Sequence, residues 1–359
     1  MPIDYDYGYY DSDYDDLDED DREGDYYERW WGGPDDDEYE DDEDYYEEHD
    51  FYEDYEYIYL KEGDAWENLE PLAPQPPDSQ PIQQRSHGLS REIRAIFQKH
   101  INEPVYKDAR TKRENDELKY PLGYPKDIIC KGVVGRGLTD FGRSFRNPKY
   151  GELSPSDKVL LYCYFNMKGH FNTVSEVFIR HQTQLEALFS PDGQTRFLDV
   201  GCGPGTACLA LADLLRGRTF RYIGIDSAAP MRDKALQLWE AAAKDKLISN
   251  GSTTSFARSW DDIRLDKLQT DARVFLAFSY FFASRSLTVK TIESLVRFVR
   301  ALQDSPRVTA IVMAYVNSSK PTANGKYDLF KELMRLESKA VELNPGTEYE
   351  VIQLKGASV

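Results

Sequence analysis

Gly201, Gly203 and Gly205 alternate with Cys202 and Pro204 in a short turn that follows Asp199 and Val200. A turn built this way lets a ligand approach the backbone closely, because no large side chain stands over it. Asp226, with Ser227 beside it, lies 27 residues beyond Asp199. An acidic group in that place can accept hydrogen bonds from two ribose hydroxyls. The spacing G-x-G-x-G is one residue tighter than the dinucleotide fingerprint G-x-G-x-x-G.

The flanking residues supply the elements that such a turn needs. The apolar run ending at Asp199 reads as a buried strand. Ala207, Ala210, Leu211, Leu214 and Leu215 fall on one helical face, and Gly217 marks the helix end. Phe220–Ile225 reads as a second strand that delivers Asp226. Strand, glycine turn, helix and second acidic residue together resemble motif I of the class I S-adenosylmethionine (SAM)-dependent methyltransferases. The resemblance implies a Rossmann-like α/β sheet with helices on both faces. It also implies SAM as cofactor, held by Asp199, Gly201, Cys202, Gly203, Gly205, Asp226 and Ser227.

Downstream, Thr253–Ala257 reads as a third strand, followed by Trp260-Asp261-Asp262. In this superfamily that place commonly holds adenine, so the resemblance assigns Asp261 and Trp260 to the cofactor. Val274–Phe278 is the expected fourth strand, with Phe278–Ser284 (FSYFFAS) at its carboxyl end. Ligands in open α/β sheets sit outside the carboxyl ends of strands, so this stretch should line the cavity. Phe278 is assigned to the cofactor, Ser279 to the substrate, and Tyr280 to catalysis, with aromatic packing as the competing role for Tyr280. FSYFFAS departs from the N-P-P-Y or D-P-P-Y of enzymes that methylate exocyclic amino groups of bases. No Lys-Asp-Lys-Glu set is placed as in ribose 2′-O-methyltransferases. The sulfonium already activates the methyl group, so transfer demands alignment and exclusion of water more than a fixed catalytic set.

Ser154-Pro155-Ser156-Asp157 predicts a helix start, with a break expected at Gly169 and a second helix opened by a capping box at Thr173–Glu176. Asn166 and His170 near that break are candidate substrate contacts. Helices are also expected at Ser90–Ile101, around Met231–Ala242, around Ile292–Leu302 and at Tyr327–Ser338, with Tyr106–Tyr120 irregular. Val308–Val316 reads as the fifth strand, and a hairpin around Asn344-Pro345-Gly346 closes the chain.

Charge is unevenly divided. Residues 1–80 hold 33 of the 64 acidic residues and 3 of the 44 basic ones, giving −30; the remainder carries +10. Fourteen of the 25 tyrosines also fall between Tyr5 and Tyr59. Such a tract opposes its own collapse and suits a basic partner surface. The expected organisation is a disordered acidic tail (1–70), a proline-rich linker (71–89), a helical and basic extension (90–153) and a SAM-dependent methyltransferase domain (154–359). Within Lys131–Lys149, the residues Arg136, Arg143, Arg146 and Lys149 could meet phosphates while Phe141 and Phe145 stack on bases; an ordinary solvated loop is the alternative. Cys130, Cys163, Cys202 and Cys208 form no C-x-x-C pair, and the five histidines show no metal-ligand spacing, so no metal is assigned. No apolar run approaches a membrane span, and the acidic N-terminus does not read as a signal peptide, which points to an intracellular chain, cytoplasmic or nuclear. Two functions follow. One is methyl transfer from SAM to an acceptor left open among RNA, protein and a small molecule; the other is a SAM-binding or inactive module that acts as an interaction protein through its acidic tail.

Overall fold

Apolar side chains recurring at helical spacing organise the chain from its first described residues. The computed structural model describes residues 89–130, 140–189, 195–284, 286–319 and 321–356; the acidic tail, nearly all of the linker, and Arg136 lie outside them. Ser90 caps α1 (Arg91–Phe97) by accepting from the Ile93 amide, and Ile93, Ile96 and Phe97 are buried. A π turn over Gln98–Asn102 leads into α2 (Glu103–Lys107). Tyr106–Tyr120 was expected to be irregular, yet β1 (Lys112–Glu114) and β2 (Glu117–Tyr120) form an antiparallel hairpin. Asn115 and Asp116 turn it with φ of 50° and 63°. Both residue types tolerate the left-handed region better than most. After α3 (Lys126–Ile129), a second hairpin pairs β3 (Phe145–Asn147) with β4 (Gly151–Leu153).

The expected break at Gly169 is absent. α4 (Pro155–Tyr162), a π turn over Cys163–Met167 and α5 (Lys168–Arg180) follow without interruption, so Gly169 lies inside a helix. Ser154 and Asp157 form the capping box at its start. Thr173 forms none: its Oγ1 donates to the Gly169 carbonyl at 3.1 Å, an i−4 bond that a mid-helix threonine can make without ending the helix. α6 (Gln182–Leu188) completes the layer.

Seven strands then build one sheet: β5 (Thr195–Val200), β6 (Arg221–Ile225), β7 (Thr253–Ala257), β8 (Ala272–Ser279), β9 (Val308–Ser318), β10 (Val341–Asn344) and β11 (Thr347–Lys355). Their order is β10-β11-β9-β8-β5-β6-β7, and β5 to β9 pair in parallel. Numbered from β5, the parallel strands run 3-2-1-4-5, the doubly wound order, with its switch point between β5 and β8. β11 inserts antiparallel between β9 and β10. Alternation along the strands divides two cores. Phe197, Phe275 and Ala277 face α1, α5, α7 (Thr206–Leu214) and α8 (Ala229–Lys244), while Leu198, Val200, Leu276 and Phe278 face α9 (Val289–Asp304) and α10 (Pro321–Met334). The last helix begins six residues before the expected Tyr327 and ends at Met334.

α1 belongs to this body. Ile93, Ile96, Phe97 and Ile101 share a core with Phe171, Trp239 and Ala242. Arg216 reaches Glu92 at 2.8 Å, and the Lys234 ammonium donates to the His100 carbonyl at 2.7 Å. Ile96→Ala should therefore lower stability by about 2–5 kcal/mol, as truncation of a well-packed aliphatic residue does. Urea denaturation checks this; a loss below roughly 0.5 kcal/mol, the size of a surface substitution, would place Ile96 outside the core.

Candidate functional site

The glycine turn is held by backbone bonds that only unusual dihedrals permit. Gly201 and Cys202 both donate to the Ile225 carbonyl, at 2.8 and 3.1 Å. Gly201, Gly203 and Gly205 have φ of 69°, 50° and 80°, in the region that favours glycine. A β-carbon on Gly201 would come 2.6 Å from Cδ2 of Phe281, and one on Gly205 would meet Cβ of Ala235 at 3.3 Å. One on Gly203 would meet nothing within 4 Å. The middle of the turn thus opens into a space that a side chain would fill. The first turn of α7 begins beside it, where unsatisfied amides favour negative charge.

Asp226 fastens the turn to the end of β6. Its Oδ2 accepts the Gly203 amide at 3.0 Å and its Oδ1 the Ala228 amide at 2.9 Å. Each oxygen keeps acceptor capacity beyond that one bond. Burial raises its carboxyl above the ordinary range, against the opposing pull of these amides and of Arg232. Asp199 is only 1 % exposed. Its Oδ2 accepts the Tyr222 hydroxyl at 2.9 Å, and its Oδ1 has no partner among the described residues. Burial pushes this carboxyl up to about 7, with Asp226 adding to the rise and the Tyr222 hydrogen bond opposing it.

Across the switch point, β8 ends at Ser279, and Tyr280 follows with φ 57°. Its amide donates to the Val316 carbonyl at 2.8 Å, and its ring stacks on His170 at 4.0 Å. His170 Nδ1 lies 3.2 Å from the Tyr162 hydroxyl, and burial pushes its imidazole down to about 4. The ring is therefore neutral near pH 7 and can serve as a hydrogen-bonding group. His170 and Tyr280, distant in sequence, meet here. Asn166 sits in the preceding π turn and donates to the Tyr162 carbonyl at 3.3 Å.

Other expected residues lie elsewhere or face otherwise. Phe278 is fully buried among Phe281, Phe282 and Phe330, so its ring lies in the core and offers no face to a ligand. Trp260 is 8 % exposed and donates its Nε1–H to Ser294 at 3.1 Å, while Asp261 and Ser227 are exposed. Exposed Arg143 and Arg146 pair with Asp140 and Glu152 at 3.4 and 2.9 Å. Phe141 packs on Tyr162 and Phe145 on Tyr124, which removes the free rings expected for base stacking. Tyr222 and Phe281 were not singled out from the sequence. Tyr222 stood out only as a polar-tipped residue in an apolar strand, and Phe281 as one of several aromatics in FSYFFAS. Among the described residues no group of three or more His, Cys, Asp or Glu gathers to hold a metal, and no helix is long and apolar enough to cross a membrane.

No protein-family model and no curated protein matches the sequence. Solved structures do. One is a SAM-dependent methyltransferase from Aquifex aeolicus, 19% identical, covering 48% of this chain and 88% of that one, with a TM-score of 0.32. Another is an arsenic(III) SAM methyltransferase from Chlamydomonas reinhardtii, 17% identical, covering 47% and 66%, with a TM-score of 0.30. A third is a human methyltransferase 10 domain containing protein, 11% identical, covering 51% and 80%, with a TM-score of 0.31. The strand order and the inserted antiparallel β11, rather than these distant likenesses, decide the architecture. The fold is a Rossmann-like, doubly wound α/β sheet with an antiparallel hairpin at one edge.

Asp199 has a consequence for stability. Its native carboxyl titrates near 7 against an ordinary value of 3.8, so the folded state holds its proton more tightly than the unfolded one. This residue's contribution therefore falls as pH rises from about 4 through about 7. Asp199→Asn cannot ionise, so its melting temperature minus that of the unaltered chain should increase over that window, by roughly 2–4 °C per kcal/mol. A constant difference in melting scans would show that Asp199 ionises normally.

Proposed function

We propose that this chain is a SAM-dependent methyltransferase. The observation that carries the reading is the open space over Gly203, set between the Asp226 clamp and the start of α7 at the switch point of the sheet. Asp199 supports it with a buried acceptor oxygen that has no partner among the described residues, which suits a ligand that brings a positive charge. Gly201, Cys202, Gly203 and Gly205 would line the backbone approach, and Asp226 would take ribose hydroxyls. Trp260 and Asp261, with Ser227, would border the adenine. When bound, SAM supplies an activated methyl group.

The residues of this chain then align an acceptor and exclude water from it. His170 on α5 and Tyr280 just after β8 would face the acceptor as a stacked pair, with Tyr162 fixing the imidazole and Ser279 and Asn166 as further contacts. A neutral imidazole there can accept a proton from an attacking hydroxyl or amine, or orient it by hydrogen bonding. The excess of 41 basic over 31 acidic residues beyond residue 80 favours an anionic acceptor, and we take RNA as the leading class.

The full-length chain should bind SAM and S-adenosylhomocysteine at micromolar concentration by calorimetry. Asp226→Ala should weaken binding by about 1–3 kcal/mol, leaving partners unpaired. Gly203→Val should abolish it, since a branched side chain would fill the open space at a positive φ. Binding of NAD with none of SAM would overturn the reading. Methyl label from SAM should enter a nuclease-sensitive fraction of cell lysate. Label in a protease-sensitive fraction would identify a protein acceptor instead, and cofactor binding without any transfer would favour an interaction module.

A further inference from the structure

Buried Asp199 and half-buried Asp226 beside the glycine turn have a property that cofactor binding alone does not require. We propose that Asp199, backed by Asp226, makes this site sense ligand charge: it favours the sulfonium SAM over the neutral thioether S-adenosylhomocysteine, and this preference grows as pH rises. The proposal rests on the SAM-binding reading above.

The geometry supplies the argument. Asp199 lies in β5, in register with Gly224 of β6 and Ala277 of β8, and is shut away from solvent. The groups that act on it are few. Tyr222 on β6 donates to one oxygen, and Asp226 at the end of β6 repels it. Cys202 in the turn and Cys208 on α7 are buried thiols pushed well above their ordinary range by burial, with Asp199 adding to the rise, so they stay neutral. No lysine or arginine among the described residues acts on Asp199; the nearby guanidinium, Arg232, donates to the Asp226 carbonyl and acts on Asp226. One oxygen of Asp199 therefore lacks both a donor and a countercharge.

A carboxyl this deeply buried, with one donor and no countercharge, resists ionisation, and Asp226 adds to that resistance, so Asp199 holds its proton up to about pH 7. A cation entering beside them lowers the cost of full ionisation and expels that proton. SAM carries a sulfonium, an ammonium and a carboxylate, a net charge of +1. S-adenosylhomocysteine keeps the last two and is neutral overall. Loss of the methyl group therefore removes the sulfonium charge and leaves an ammonium offset by the ligand's own carboxylate. The product then meets a site that has taken a proton back.

The test uses the full-length chain, SAM and S-adenosylhomocysteine, with calorimetry in two buffers of different ionisation enthalpy to count protons. SAM affinity should rise about tenfold from about pH 5.5 to about 7.5 with net proton release, and S-adenosylhomocysteine affinity less than about threefold. Asp199→Asn should flatten the SAM profile and shrink the SAM preference. Tyr222→Phe, which keeps the ring and removes the donor to Asp199, should move the rise to higher pH and keeps the test decisive if Asp199→Asn does not fold. Both ligands binding with a pH-independent ratio and no proton release would overturn the charge-sensing proposal and leave the cofactor reading intact. Failure of both ligands to bind at any pH would overturn the cofactor reading itself.

Discussion

The hydrogen bond from the Gly203 amide to the Asp226 carboxylate joins the ends of two strands, and the geometry of the site depends on it. It fixes the middle of the turn to β6, while the Ile225 carbonyl holds the turn's first two amides. Held there, the three glycines are needed for three different reasons. Gly201 yields to the Phe281 ring, Gly205 to the close approach of α8 through Ala235, and only Gly203 faces open space. A motif that looks uniform along the chain is thus two packing constraints around one opening. An alanine at Gly201 or Gly205 would act through the protein's own contacts. At Gly203 it would act on whatever enters.

A second constraint comes from the π turn over Cys163–Met167. In an undistorted α-helix, residues eight apart are offset by about 80° around the axis. One extra residue in a turn makes the eighth position behave nearly as the seventh, which returns to the same face. Tyr162 and His170 lie on either side of this insertion and meet at 3.2 Å. The helical irregularity therefore serves to hold an imidazole against Tyr280.

The glycine turn, Asp226, the parallel strands and the C-terminal hairpin were legible because each is a local pattern: φ-permissive residues, an acidic residue at fixed distance, apolar runs of strand length. Other features depend on pairing, which no local pattern encodes. β1 is exposed along its whole length, so the Lys112–Tyr120 hairpin lacks apolar alternation and was hidden by its charge. The break placed at Gly169 relied on glycine as a helix breaker and on capping spacing at Thr173. Packing of Phe171, Val174, Val177 and Phe178 in the core overrides both. Tyr222 became meaningful only once β5 and β6 were in register, Phe197 against Tyr222 and Asp199 against Gly224. The ring of Phe278 lies away from the turn because the end of a strand delivers alternate residues to opposite faces, and this one faces α9 and α10.

The segment Phe278–Phe282 shows how a run of aromatics can serve two sides of a sheet at once. Strict alternation would send Phe278, Tyr280 and Phe282 to one face. Tyr280 instead adopts φ 57°, a strained value for a bulky residue, and is held there by its bond to Val316. The reversal leaves Phe278 and Phe282 in the core with Tyr315, Tyr327 and Phe330, lays Phe281 on Gly201 and turns Tyr280 toward His170. Strain at a single residue thus separates the rings that seal the core from those that border the opening. Phe281 lies between the glycine turn and Phe282, so its ring bridges the opening and the core beneath α10.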